Sequence, residues 1–196
     1  MGNLKNMAGS IPSNDDELYT PEILVRPIIP YLSARGFSRI WCPFDYEDSE
    51  FVLCLREAGF SVLFGHIDTG LDFFNCVPPE CDCIVSNPPF SKKMAVFQRL
   101  REIGLPFAII MCLPCLNYQE VGSFFYESGI QLQLLIPDKR ISFDGHQSSF
   151  NSSYFCSGVL PRDIIFCHLP HNNAGRNYCG SRMHKSMSLF DEEGMV

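Results

Sequence analysis

Short apolar runs alternate with amphipathic stretches along most of this chain, and this alternation constrains the fold more than any other feature. The apolar runs are rich in Ile, Val, Phe and Cys and are bounded by glycine, proline or polar residues, as strands are. The predicted strands cover 38–42, 60–65, 81–86, 106–112, 130–136 and 163–169. Several are apolar throughout, which indicates a sheet covered on both faces. We predict an α/β fold of about seven mainly parallel strands with helices on both faces.

Helix signals stand between the predicted strands. Thr20, a favourable N-cap, precedes Pro21, which suits the first position of a helix. Further helices are predicted behind polar caps, over 48–58, 91–103 (capped by Ser91) and 117–128 (capped by Asn117). Sheets of this kind bind ligands beyond the carboxyl ends of their strands, so we expect the functional residues there.

The length of 196 residues suits one domain. We expect a flexible segment over 1–16, the domain over 17–169 and a mobile tail over 170–196. No apolar run approaches the roughly 20 residues of a membrane span, and the N-terminus lacks the pattern of a signal peptide. These features predict a cytoplasmic protein without membrane contact. Its ten cysteines lack the spacing of a zinc site, and we expect reduced thiols and no metal.

The most informative motif is Asn87-Pro88-Pro89-Phe90, directly after the strand predicted over 81–86. The prolines fix φ and offer no backbone donor, so the segment forms a rigid corner that presents carbonyl oxygens, an amide and an aromatic ring. The Asn87 side chain and the Pro88 carbonyl can accept both hydrogens of a planar NH2 group, and Phe90 can stack on the attached ring. A structural Pro-Pro turn is the alternative interpretation.

The corner resembles the signature Asp/Asn/Ser-Pro-Pro-Tyr/Phe/Trp of amino-group methyltransferases, most closely small phage-type enzymes specific for N6 of adenine in DNA. The resemblance covers about residues 17–169 and implies a Rossmann-like methyltransferase fold, S-adenosylmethionine as cofactor and catalysis at the corner. It also implies three cofactor-binding segments. They are Tyr19-Thr20-Pro21 against the methionine part, the loop Cys42-Pro43-Phe44-Asp45 after the first strand, and Asp72-Phe73-Phe74 at the adenine.

Two segments depart from the family pattern. The loop after the first strand usually carries an aspartate and glycines, whereas this chain has Cys42 and then the run Asp45-Tyr46-Glu47-Asp48. Asp45 or Glu47 would replace the missing carboxylate, unless the loop no longer binds the cofactor. The second strand usually ends in an acid for the ribose hydroxyls, and here His66 or Asp68 must substitute.

The basic residues are unevenly distributed, although the net charge is −7. Residues 1–82 hold five Lys/Arg against thirteen Asp/Glu, whereas residues 83–190 hold ten against six. We expect contacts with nucleic-acid phosphates from Lys92, Lys93, Lys139 and Arg140. Phe143, Phe150 and Tyr154 either line the pocket of the target base or pack in the core.

The predicted substrate is adenine in DNA, flipped out of its helix, and DNA is favoured over RNA. The chain is too short for a large separate recognition domain. Sequence selectivity would then be low, or would come from the loop over 138–153, a homodimer or a recruiting partner. Three alternatives stay open: methylation of adenine in RNA, methylation of a protein glutamine, and a non-catalytic relative that binds nucleic acid or a partner.

Overall fold

The computed structural model describes residues 20–141 and 151–170, and in them seven strands form a single sheet. The strands are β1 (Arg39–Cys42), β2 (Ser61–Phe64), β3 (Cys83–Ser86), β4 (Phe107–Cys112), β5 (Gln133–Pro137), β6 (Ser152–Ser157) and β7 (Ile164–Cys167). Their order across the sheet is β2-β1-β3-β4-β6-β5-β7. Every neighbouring pair is parallel except the two pairs made by β6. The predicted Rossmann-like α/β fold with a mainly parallel sheet is confirmed.

Five α-helices cover the sheet: α1 (Glu22–Val25), α2 (Ile29–Ala34), α3 (Glu50–Glu57), α4 (Lys93–Ile103) and α5 (Gln119–Ser128). Side chains of α1, α2 and α3 pack in one hydrophobic cluster, and those of α4 and α5 pack in a second. Successive strand residues alternate between the clusters, as the pleat requires: Ile40 and Cys42 belong to the first and Trp41 to the second. None of the helices in the described residues has the length and hydropathy of a membrane span.

The strand β6 is absent from the sequence-based prediction, which placed residues 142–153 in a polar loop. The structure corrects this assignment, because Ser152 and Ser153 are buried in β6, between β4 and β5. Tyr154 follows in the same strand and donates from its hydroxyl to the Leu24 carbonyl at 2.9 Å, which makes it a core residue. Phe143, Phe150, the predicted segment over 1–16 and all but Pro170 of the predicted tail over 170–196 lie outside the described residues.

Two predicted helix ends are confirmed, whereas three predicted caps are wrong. Gly104 and Gly129 end α4 and α5 with φ values of 71° and 73°, which favour glycine. The first helix begins at Glu22 with Pro21 in the capping position that Thr20 was expected to fill. Short 3₁₀ turns precede α4 and α5 and take up Ser91 and Asn117, so neither residue caps the helix.

The turn after β6 is attached to the sheet by buried polar groups. The Gln133 side-chain oxygen accepts from the backbone N–H groups of Val159 at 3.0 Å and Leu160 at 2.9 Å, and its Nε2 donates to the Leu160 carbonyl at 2.7 Å. Arg35 donates to the carbonyls of the same two residues at 2.9 and 2.7 Å. One amide side chain therefore satisfies three backbone groups of this turn.

Gln133→Ala should lower the free energy of unfolding by about 2–4 kcal/mol, because it leaves buried backbone donors and an acceptor without their partner. Gln131 is the matched control, since its amide donates only to Asp163 at an exposed site. Gln131→Ala should change the free energy of unfolding by less than about 1 kcal/mol. Urea denaturation of the three proteins checks this, and equal losses in both variants would contradict it.

Candidate active site

A cavity of about 260 Å³ opens beyond the carboxyl ends of β1, β2 and β3. Its volume is close to the lower end of the roughly 300–1,000 Å³ typical of small-molecule sites. Four short segments supply its wall: the loop after β1 with the start of α3, the turn after β2, the turn at 71–74, and the corner after β3. Thr20, which precedes α1, completes the wall.

The buried Ser86 hydroxyl joins two of these segments. Ser86 is the last residue of β3, and its Oγ accepts the Phe44 N–H at 3.3 Å while it donates to the Asp45 carboxylate. The backbone N–H of Asp45 donates in turn to the Gly65 carbonyl at 3.0 Å. The ends of β1, β2 and β3 are thereby connected through Asp45, next to the cavity.

Asp45 is one of two buried acids in the cavity wall, with 6% of its surface exposed; the other is Glu50, at the start of α3. Burial raises the pKa of its carboxyl from 3.8 to about 6, although hydrogen bonds from Ser86 and Ser49 and the nearby His66 lower it in part. Glu47, the other candidate acid of this loop, is exposed and contacts Arg56 at 3.5 Å. Of the two, only Asp45 lines the cavity.

Cys42 stands where the methyltransferase pattern that the sequence resembles has an aspartate, yet it lies in the core. Its side chain is fully buried in the cluster formed with α1, α2 and α3. Burial raises the pKa of its thiol well above 9, so the thiol stays neutral and cannot replace the carboxylate. Of the acids in this loop, Asp45 and Asp48 line the cavity, and Asp45 is the buried one.

Tyr46, His66 and Asp68 form a polar group at the end of β2. The Tyr46 hydroxyl lies 2.7 Å from His66 Nδ1 and donates to Asp68 Oδ2 at 2.8 Å. The two rings also contact each other, with centroids 4.4 Å apart. Tyr46 and the buried His66 line the cavity, whereas the exposed Asp68 lies behind them.

The turn at 71–74 supplies an aromatic wall. Asp72 caps this turn, since its carboxylate accepts from the Phe74 N–H at 2.9 Å and from Asn75 at 2.6 Å. These two hydrogen bonds lower the pKa of Asp72 below 3.8. Phe73 packs against Phe44, with ring centroids 4.8 Å apart. The turn therefore presents an ionised carboxylate beside aromatic rings that pack against each other at tilted angles.

Two contacts outside the cavity fix this turn in place. Arg99 of α4 donates to the carbonyls of Phe73 at 3.2 Å and Cys76 at 2.7 Å, so it does not present a free guanidinium to phosphate. A Cβ added at Gly65 would lie 2.7 Å from the Leu71 side chain, which explains why a glycine directly follows β2.

The proline corner borders the same cavity. Asn87 and Pro89 line it, while Pro88 is buried and the partly buried Phe90 packs against both hydrophobic clusters. The Pro89 carbonyl accepts the Lys92 N–H at 3.1 Å, which turns the chain into α4. The corner is thus anchored on both sides of the sheet and holds the Asn87 amide at the cavity wall.

The four predicted phosphate-binding residues lie in different surroundings. Lys92 is exposed at the rim of the cavity, 5.6 Å from the centroid of the Phe74 ring. Lys93 is paired with Glu120 at 2.9 Å. Lys139 and Arg140 follow β5, which lies beyond β4 and β6, and Lys139 Nζ donates to the Pro170 carbonyl at 2.5 Å.

The structure brings many of the predicted site residues together in the cavity wall: Thr20, Pro43, Phe44, Asp45, His66, Asp72, Phe73, Asn87, Pro89 and Lys92. Others lie outside that wall: Pro21, Cys42, Glu47, Asp68, Pro88, Phe90, Lys93, Lys139 and Arg140. Tyr19 falls outside the described residues.

Sequence reasoning assigned no role at the site to the first residues of α3. Ser49 caps this helix by accepting from the Val52 N–H at 3.4 Å, and Ser49, Glu50 and Phe51 line the cavity. The polar Asp48-Ser49-Glu50 run before an apolar helix was the available signal, because it places a helix N-terminus at the end of β1.

The raised pKa of Asp45 predicts a pH-dependent stability. The folded state holds this proton more tightly than the unfolded state, so the contribution is present below about pH 4 and is lost as the pH rises through about 6. Asp45→Asn should therefore gain stability relative to the parent between pH 4 and 7.5, by about 1–3 kcal/mol. Urea denaturation of both proteins at the two pH values measures this difference. A difference that is the same at both pH values would contradict it.

Comparison with known proteins gives structural likenesses only, since no family model and no curated protein matches the chain. It is similar to a type I restriction-modification methyltransferase subunit from Streptococcus thermophilus, with 14% identity, a TM-score of 0.49, and coverage of 78% of this chain and 47% of that one. Human N-acetylserotonin methyltransferase in complex with SAM shares 10% identity, with a TM-score of 0.41 and coverage of 67% and 50%. Precorrin-6y C5,15-methyltransferase from Geobacter metallireducens shares 12% identity, with a TM-score of 0.41 and coverage of 72% and 93%. The chain spans about half the length of the first two structures.

Proposed function

We propose that the chain transfers a methyl group from S-adenosylmethionine to an exocyclic amino group, N6 of a flipped adenine in DNA. The observation that supports this most is the position of the proline corner. Asn87 borders the same cavity as the buried carboxylate of Asp45 and the aromatic turn at 71–74. A site for a charged, adenine-containing cofactor therefore adjoins side chains suited to hold an amine.

The wall of the cavity matches the chemical parts of this cofactor. Asp45 offers a buried acceptor for the ammonium of the methionine part, at a site where little water competes for the hydrogen bond. Tyr46 and His66 offer polar atoms to the ribose hydroxyls, and the aromatic residues beside Asp72 offer a surface for the adenine ring. When bound, the cofactor supplies an electrophilic methyl group on a positively charged sulfur.

The corner supplies the other half of the chemistry. An exocyclic amine is a weak nucleophile because its lone pair is delocalised into the ring. Acceptor oxygens of Asn87 and Pro88 that hold both amine hydrogens would favour the geometry in which the lone pair points at the methyl group. This is catalysis by positioning and electrostatics, and it needs no strong base. Phe90 would hold the base by stacking.

Cofactor binding should depend on the ionisation of Asp45. Because the carboxyl has a pKa of about 6 in the free protein, protons compete with the cofactor ammonium below that pH. The affinity for S-adenosylmethionine should fall about tenfold from pH 7 to pH 5. Asp45→Asn should bind more weakly and lose this dependence, whereas Glu47→Gln should behave as the parent does. Isothermal titration calorimetry measures all three proteins.

Parent-like binding by Asp45→Asn at both pH values would exclude Asp45 as the ligand of the ammonium. If Glu47→Gln lost affinity while Asp45→Asn kept it, the exposed acid of the loop would be the ligand.

Substitutions of Asn87 and Phe90, the first and last residues of the corner, should affect different kinetic constants. Asn87→Ala should abolish most turnover and leave the affinity for S-adenosylmethionine nearly unchanged, because its acceptor oxygen is needed most in the transition state. Phe90→Ala should lower kcat/KM by about 5- to 150-fold, the range expected for loss of one stacked base. Phe90→Tyr should keep most of the activity.

Radiolabelled methyl transfer to unmethylated DNA gives these constants, and thermal unfolding of each variant controls for folding because Phe90 also packs in the core. Parent-like turnover of Asn87→Ala would show that the corner is not the active site.

A further inference from the structure

Two lysine–aromatic pairs flank the start of α4, directly after the proline corner. Lys92 lies over the Phe74 ring at 5.6 Å, beside the cavity. Lys93 lies over the Tyr118 ring at 5.4 Å, and Tyr118 is outside the cavity wall. The corner is thus bordered on one side by the cavity and on the other by an exposed aromatic ring with an ammonium group.

Tyr118 is exposed in spite of its size, with 52% of its surface accessible. Its backbone is nevertheless well fixed. Its N–H donates to the Cys115 carbonyl at 3.0 Å, and its own carbonyl accepts from the N–H groups of Val121 and Gly122, both at 3.0 Å. An exposed aromatic ring on a fixed backbone loses little entropy when a flat ligand stacks on it.

Sheet topology places Tyr118 on the same edge as the corner. The strand β4, which leads to Tyr118, pairs parallel with β3, which leads to Asn87. Lys93 connects the corner with the start of α5 next to Tyr118. It is the first residue of α4 after the corner, and it pairs with Glu120 of α5 at 2.9 Å. Tyr118 therefore lies beside the start of α4, on the edge of the sheet where a target base would enter next to Asn87.

We propose that Tyr118 is a stacking platform for an unpaired base next to the target base, and that the substrate is bound as single-stranded DNA. This inference rests on the proposed function and narrows its substrate, because an adenine in a single strand is reached without being flipped out of a duplex. Base stacking on an aromatic side chain is worth about the same for any base, and the exposed Lys92 can attract the phosphates. Bases in a duplex are already stacked on their neighbours, so a fixed exposed ring gains contacts only with an unpaired strand.

The test is fluorescence anisotropy with a labelled 12-nucleotide single-stranded DNA and with the duplex of the same sequence, in the absence of cofactor. Tyr118→Ala should weaken binding to the single strand by about 5- to 150-fold, and Tyr118→Phe should bind as the parent does. Tyr126→Ala is the matched control, since this tyrosine lies in α5, the helix that Tyr118 directly precedes, with 92% of its surface exposed. It should bind as the parent does.

Parent-like binding by Tyr118→Ala would overturn the proposal. So would an equal loss in Tyr118→Phe, which would assign the effect to the hydroxyl, or an equal loss in Tyr126→Ala, which would assign it to the whole face of α5. Tighter binding of the parent to the duplex than to the single strand would also overturn it. Calorimetry with S-adenosylmethionine and radiolabelled methyl transfer to DNA by the parent distinguish the two hypotheses: if the proposed function fails, the parent does not bind the cofactor or does not methylate DNA, whereas failure of this inference alone leaves both intact.

Discussion

The Ser86 hydroxyl and the Asp45 carboxylate, buried together at the ends of β3 and β1, are the interaction on which the rest of the site depends. A buried carboxylate is costly, and it is tolerated here because Ser86 donates to it, while the Phe44 N–H donates to Ser86 Oγ and the Asp45 N–H donates to the Gly65 carbonyl. These bonds connect the end of β3 with the ends of β1 and β2, which are also joined to each other by the Gly65 N–H and the Cys42 carbonyl. The cavity exists because the loops leave the sheet from fixed positions, and Asp45 supplies a buried negative charge.

The position of the proline corner also depends on Ser86. Ser86 directly precedes Asn87, so the residue that fixes Asp45 also fixes the start of the proline segment. Phe90 then packs against both hydrophobic clusters, and the Pro89 carbonyl directs the chain into α4. Ser86 holds the Asp45 carboxylate, which we propose binds the cofactor, and the next residue, Asn87, is the proposed acceptor for the amine. Both groups are therefore positioned from the end of β3. Positional catalysis needs this kind of rigidity, because small displacements of the reacting groups reduce the rate steeply.

Local patterns predicted most of the fold. Apolar strands such as β3 and β4 are buried on both faces, so their sequences are apolar throughout and easily recognised. The strand β6 was missed because it begins with Ser152 and Ser153, which are buried only through pairing with β4 and β5. The caps at Ser91 and Asn117 were wrong because 3₁₀ turns, which share the polar and proline signals of helix starts, precede both helices.

The candidate site, like the fold, could be predicted only where the signal lies in consecutive residues. The corner at Asn87 could be identified from consecutive residues, because proline chemistry is local. The choice between Asp45 and Glu47 depended on a contact with Ser86, forty-one positions away from Asp45, and the contribution of Glu50 depended on where α3 begins. Tyr118 carried no signal in the sequence, since only the pairing of β4 with β3 brings it near the corner.

Incubation of the protein with unmethylated DNA and S-adenosylmethionine that carries a labelled methyl group tests the central claim most directly. After the DNA is digested to nucleosides, chromatography identifies the labelled base. The account predicts label in N6-methyladenine, and no label in parallel reactions with RNA or protein. The absence of label from all three substrates, or label on a protein glutamine instead of adenine, would contradict it.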